Sequence, residues 1–127
     1  MTFSFDDIPD LTSSVAIVTG GNAGIGEVCT RELARRNCKV YVFTRSQSRY
    51  DECLQRMGSK PHGLSHSIIK EKVAFIPCDL ADLDSVVEAV RNFKSKETSL
   101  DILINNAGIM AVPYSLTKQG LEIQNGE

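Results

Sequence analysis

The chain has 127 residues, of which 42% are hydrophobic and 24% charged, with a net charge of −2. That length suits one globular domain, and the near-neutral balance argues against a nucleic-acid or anionic-membrane partner. No apolar run approaches the roughly 20 residues that span a bilayer, and the acidic start MTFSFDDIPDLTSS does not read as a secretory leader.

Residues 1–13 form a polar lead-in. SVAIVTG (14–20) is a continuous apolar run ending in glycine, the pattern of a buried strand. AGIGEVCTRELARRN (23–37) predicts a helix with an apolar stripe of Ile25, Val28, Cys29, Leu33 and Ala34. Glu27, Arg31, Glu32, Arg35 and Arg36 fill its other side, and Asn37 suits a left-handed stop. KVYVFTR (39–45) is a second strand, 47–57 a second helix, and 58–71 a loop carrying Gly58, Pro61 and Gly63. VAFIPCDL (73–80) is a third strand. Asp82 or Asp84 caps a helix running to about Lys96, with Val86, Val87, Val90 and Phe93 inward. LDILINNAG (100–108) is a fourth strand, and 109–127 is a weakly patterned, incomplete tail. Strands alternating with helices predict an α/β fold: a Rossmann-type doubly wound parallel sheet of order 3-2-1-4, truncated after its fourth strand.

Cys29, Cys38, Cys53 and Cys78 stand singly, with no Cys-x-x-Cys spacing, and read as reduced residues of an intracellular protein. Cytoplasm is the default location. His62 and His66 lie in the loop SKPHGLSHS without cysteines beside them, so a solvated loop is expected there rather than a metal site, which wants three or four ligands.

TGGNAGIG (19–26) joins the first strand to the first helix. Free backbone amides and the helix dipole at such a junction favour an anion. Gly20 permits the tight turn, Gly24 lets a pyrophosphate approach the backbone, and Gly26 lets helix and strand pack closely.

The spacing Thr-Gly-x-x-x-Gly-x-Gly resembles that of the short-chain dehydrogenase/reductase family. CDL (78–80) and NNAG (105–108) resemble the family's adenine-contacting and ribose-lining segments, and the whole resemblance runs from 14 to about 124. NNAGIM followed by T-x-x-G-x-E (117–122) looks like the retinol-dehydrogenase and WW-domain-oxidoreductase branch. The resemblance implies a nicotinamide dinucleotide held by residues 14–108, at Gly20, Asn22, Gly24, Ile25, Gly26, Asp79, Leu80, Asn106, Ala107 and Gly108. It implies hydride transfer between nicotinamide and a carbonyl or alcohol carbon.

The second strand ends in Thr44 and Arg45, where an acid would accept from the 2′-hydroxyl of NAD. An arginine there pairs with a 2′-phosphate, and a charge-assisted bond of roughly 1.5–3 kcal/mol favours NADP about ten- to a hundredfold. Arg45 therefore joins the expected cofactor residues; Arg49 is a second candidate, and NAD stays open.

Tyr114 and Lys118 spell Tyr-x-x-x-Lys, the family's catalytic pair. They follow Asn106 by only eight residues, no serine stands correctly before them, and Gly120 ends any helix within two turns of Pro113. The expectation is that neither is catalytic and that they edge a substrate pocket. The family's catalytic Ser and true Tyr-x-x-x-Lys belong to a C-terminal half, and a carbonyl or alcohol substrate would need that half. Three readings stay open: the cofactor-binding half of an NADP(H)-dependent oxidoreductase, a non-catalytic NADP(H)-binding or interaction module, and a chain that does not fold stably. ILIN (102–105) would also offer an apolar strand edge for self-association.

Overall fold

The computed structural model describes residues 2–59 and 61–126; positions 1, 60 and 127 of the expected lead-in, loop and tail lie outside the described residues. Four strands, β1 (Val15–Thr19), β2 (Lys39–Thr44), β3 (Val73–Pro77) and β4 (Ile102–Ile104), form one sheet of order β3-β2-β1-β4. Every pair is parallel, with Ala16 beside Val40 and Ile102, and Val40 beside Val73. The expected strand order and fold class are those observed.

Helices cover both faces: α1 (Gly24–Arg35), α2 (Gln47–Met57) and α3 (His66–Lys72) on one, α4 (Leu83–Lys96) on the other. Strand side chains alternate between faces. Ala16, Val18, Val40 and Val42 pack with Ala34, Cys53, Met57 and Ile69, while Val15, Ile17, Tyr41, Phe43 and Ile76 pack with Ala89 and Phe93. Both faces of β1 and β2 are thus buried, which is why their sequences are apolar without alternation. A four-residue helix, α5 (Ile123–Gly126), closes the described chain.

Several local expectations need correction. The loop 58–71 contains α3, whose Ser65 cap accepts the Ile68 amide at 3.3 Å and whose Ile69 is buried. Gly58, Pro61 and Gly63 mark only the first half of that segment. β3 and β4 stop at Pro77 and Ile104 rather than at 80 and 108. Beyond Pro77 the Asp79 side chain accepts from the Ala81 amide at 2.9 Å and turns the chain. Beyond Ile104 the amides of Asn106 and Ala107 are taken by the Thr19 hydroxyl instead of a ladder.

Glu32, expected on the solvent side of α1, is buried between Arg31 and Arg35, which donate to it at 2.9 and 3.1 Å. These bonds hold its carboxyl below its ordinary pKa against the opposing effect of burial. Ile25, expected in the apolar stripe, is 77% exposed at the open end of the helix. Val87 and Val90 of α4 are also exposed. Val90 instead lines an apolar groove of about 400 Å³ with Leu100 and Leu103, over the β4 side of the sheet. Asn37 does adopt the left-handed conformation (φ 69°), and Asp82 caps α4 by accepting from the Asp84 amide.

Candidate dinucleotide site

The site lies where the carboxyl ends of the four parallel strands meet the start of α1. The turn after β1 needs two left-handed residues, Gly20 (φ 64°) and Gly24 (φ 55°), a backbone that glycine adopts without strain. A Cβ on Gly24 would meet nothing within 4 Å, so the loop is open to a ligand there. A Cβ on Gly26 would strike the Gly20 carbonyl oxygen and come 2.5 Å from Asn106 Nδ2. Close packing of helix on turn therefore requires glycine at 26.

The first backbone bond within α1 runs from the Glu27 amide to the Ala23 carbonyl, so the amides of Gly24, Ile25 and Gly26 have no carbonyl of an earlier helical turn to bond. Thr30, fully buried on α1, places its hydroxyl 2.9 Å from the Gly26 carbonyl and 3.2 Å from that of Gly21, fixing the loop from below. On the β4 side Asn106 donates to the carbonyls of Thr19 and Gly20. The turn is clasped between its own helix and the neighbouring strand.

Two adjoining clefts open beside it. One, of about 290 Å³, brings together Gly20, Asn22, Arg45, Leu80, Asn106, Ala107 and Gly108. The other, of about 590 Å³, runs outward between the glycine loop and α2, past Asn22, Arg45, Ser46, Arg49 and Arg56. Seven of the eleven expected residues thus share one cavity. Gly26 lies buried beneath it, and Gly24 and Ile25 sit exposed at the start of α1. Asp79 lines neither cleft, and one of its carboxylate oxygens already serves the Ala81 amide. Sequence reasoning missed Thr19, Thr30, Ala23 and Ile109. Thr19 and Thr30 act only through contacts made in the folded chain.

Arg45 and Arg49 are exposed, and among the described residues neither pairs with a carboxylate. Three arginines against Glu52 make the outer cleft a cationic pocket.

The Tyr114 segment has no helix, so the one-turn spacing from Tyr114 to Lys118 does not stack them. Tyr114 is 76% exposed. Lys118 bonds Asp82 at 3.2 Å and lies 3.6 Å from Asp84, and its amide donates to the Ala81 carbonyl. Gln119 accepts from the Leu83 amide. The tail, weakly patterned in sequence, is pinned over the start of α4. Among the described residues no three His, Cys, Asp or Glu side chains gather as metal ligands, and no helix is long and apolar enough to cross a membrane.

The short chain dehydrogenase family profile matches residues 14–124. The chain belongs to this family. It is 44% identical over 122 residues to an uncharacterized oxidoreductase of Schizosaccharomyces pombe, covering 96% of this chain and 34% of that protein. It is 43% identical over 125 residues to a short-chain dehydrogenase/reductase of Armillaria gallica, covering 98% and 38%. Among solved structures, an uncharacterized protein from Mycobacterium paratuberculosis matches with a TM-score of 0.76 at 36% identity, covering 99% of this chain and 41% of that one. Menthone neomenthol reductase from Mentha piperita matches with a TM-score of 0.68 at 36% identity, covering 77% and 32%. This short chain dehydrogenase chain spans about a third of the length of the curated relatives it matches.

Proposed function

We propose that residues 14–108 are the dinucleotide-binding unit of an NADP(H)-dependent short-chain oxidoreductase, of the retinol-dehydrogenase and WW-domain-oxidoreductase type, acting in the cytoplasm. The observation that carries the reading is the position of Arg45 and Arg49, in an ion pair with no carboxylate among the described residues, in a cleft continuous with an open glycine turn. The open space at Gly24 and the amides that begin α1 fit a pyrophosphate. Arg45, with Arg49 beside it, would hold a 2′-phosphate, and Asn106, Ala107 and Gly108 would line the nucleoside. Bound there, the cofactor supplies hydride exchange with a carbonyl or alcohol carbon. Three buried cysteines with no disulfide suit a reducing compartment.

A second reading, a binding module without turnover, is favoured by one observation: Lys118 is committed to Asp82 and shares no helix with Tyr114. A carbonyl-reductase assay of the chain and its Tyr114→Phe variant tests whether the chain turns over by itself through Tyr114; both readings expect no activity there. Activity abolished by that substitution would make Tyr114 catalytic.

The chain has no tryptophan, so nicotinamide fluorescence reports binding without a tryptophan background. NADPH should bind about ten- to a hundredfold more tightly than NADH, and Arg45→Ala should remove that preference. Equal weakening of both nucleotides by Arg45→Ala would sink the NADP assignment.

A further inference from the structure

Arg56, on the last turn of α2, reaches across to the glycine loop. Its Nη2 donates to the Asn22 carbonyl at 2.9 Å, and its Nε donates to Glu27 Oε1 at 2.8 Å. One turn earlier on α2, the buried Cys53 thiol lies 4.0 Å from the Gly21 carbonyl. One face of α2 thus backs two successive carbonyls of the loop. Glu27 sits in the first turn of α1, beside the amides that an anion would use. A carboxylate there competes for the same positive field as a bound phosphate. Its side chain is only 17% exposed, because Arg56 lies against it.

We propose that Arg56 is a positioning residue for the dinucleotide phosphates: it holds the glycine loop through the Asn22 carbonyl and ties Glu27 back from the anion site. This rests on the dinucleotide reading above. The role differs from that of Arg45 and Arg49, which face the cleft and form no ion pair with a carboxylate among the described residues. Arg56 is engaged with protein groups on both sides, so it acts through the loop.

The test is a cycle of Arg56→Ala, Glu27→Gln and the double variant, titrated with NADPH and NADH. Arg56→Ala should weaken both nucleotides by a similar factor, about two- to fivefold, as expected when a partly screened charge pair opens beside the site. Adding Glu27→Gln should restore most of that loss. Glu27→Gln alone, which keeps the bond from Arg56 to Asn22, should bind no worse than the parent and covers the case in which Arg56→Ala fails to fold. Weakening confined to NADPH and not rescued by Glu27→Gln would mean that Arg56 touches the 2′-phosphate itself, and would overturn the proposal. So would unchanged binding.

Amide exchange of the nucleotide-free chain gives an independent arm. The amides of Gly20 and Glu27 close the loop at either end, on the Phe43 and Ala23 carbonyls. Both should exchange about tenfold faster in Arg56→Ala than in the parent. If the parent bound neither nucleotide, the dinucleotide reading would fail, and faster exchange would still establish the hold on the loop. Unchanged exchange would overturn it.

Discussion

The Asn106 side chain donates to the Thr19 and Gly20 carbonyls at 3.1 and 3.3 Å, while the Thr19 hydroxyl accepts from the Asn106 and Ala107 amides at 3.1 and 3.0 Å. The two residues end neighbouring strands and each satisfies groups that the sheet ladder leaves free. This reciprocal latch holds β4 against the glycine turn. Asn106→Ala should lose about 1–2 kcal/mol in urea unfolding, the cost of leaving partly buried carbonyls unpaired. Asn106→Asp should lose more, because an ionised carboxylate has no donor and would face two carbonyl oxygens. An Asp variant as stable as the Ala variant would show that the latch is not made of these bonds.

The glycines of the loop should differ sharply when replaced by alanine. Gly26→Ala places a methyl against the Gly20 carbonyl and Asn106 Nδ2, both fixed parts of the structure, and should cost about 2–3 kcal/mol. Gly24→Ala meets no atoms but must hold φ near 55°, a strain of about 1–2 kcal/mol. Gly108→Ala meets nothing and has no positive φ, so its melting temperature should match the parent's. A series in which all three behave alike would contradict the close approach at Gly26.

The sheet was legible because β1 and β2 are buried on both faces, and a continuous apolar run between glycine and polar turns has few other uses. The glycine turn was legible for a related reason: its residue types answer a backbone demand local in sequence. The parts that were not legible depend on contacts distant in sequence. Glu32 reads as a surface acid until Arg31 and Arg35 fold around it. Ile25 reads as core because periodicity does not register that the first turn of α1 projects past the sheet. Helix α3 is seven residues long, too short for a periodic signal to outweigh the glycines and proline before it. Lys118 reads as one half of a catalytic spelling until Asp82 is seen beside it.

Burial should make the fold sensitive to alkali. It pushes the Cys38 thiol from an ordinary 9.0 to about 11 and the Cys53 thiol to about 12, and raises Cys78 with help from Asp79. Tyr50 is raised to about 12, mainly by burial. These groups stay protonated in the native chain while the unfolded chain releases its protons, so unfolding becomes easier as pH rises. The stability they contribute is whole below about pH 9 and is lost through pH 11–12. Lys39, lowered chiefly by burial, acts in the opposite sense but is a single group. The urea midpoint should therefore fall steadily above pH 9. In the native chain at pH 8 only Cys29, the one cysteine that is not buried, should react quickly with a thiol reagent. Four thiols reacting at one rate would contradict the packing around the other three.

Among the described residues strand β4 pairs with β1 along one side only, and Leu103, registered beside Ile17, is 54% exposed in the apolar groove near α4. An edge strand with apolar neighbours is a template for pairing with another chain. A second copy of the same chain offers the matching edge, so two copies can continue the sheet through their β4 strands and cover both grooves at once. The chain should therefore associate as its concentration rises. Leu103→Lys, which puts a charge on the edge strand, should return it toward monomer while leaving the β1–β2 core intact. Sedimentation at several concentrations checks this. A sharp monomer boundary throughout, with a high melting temperature, would mean that the β4 edge is satisfied within the single chain.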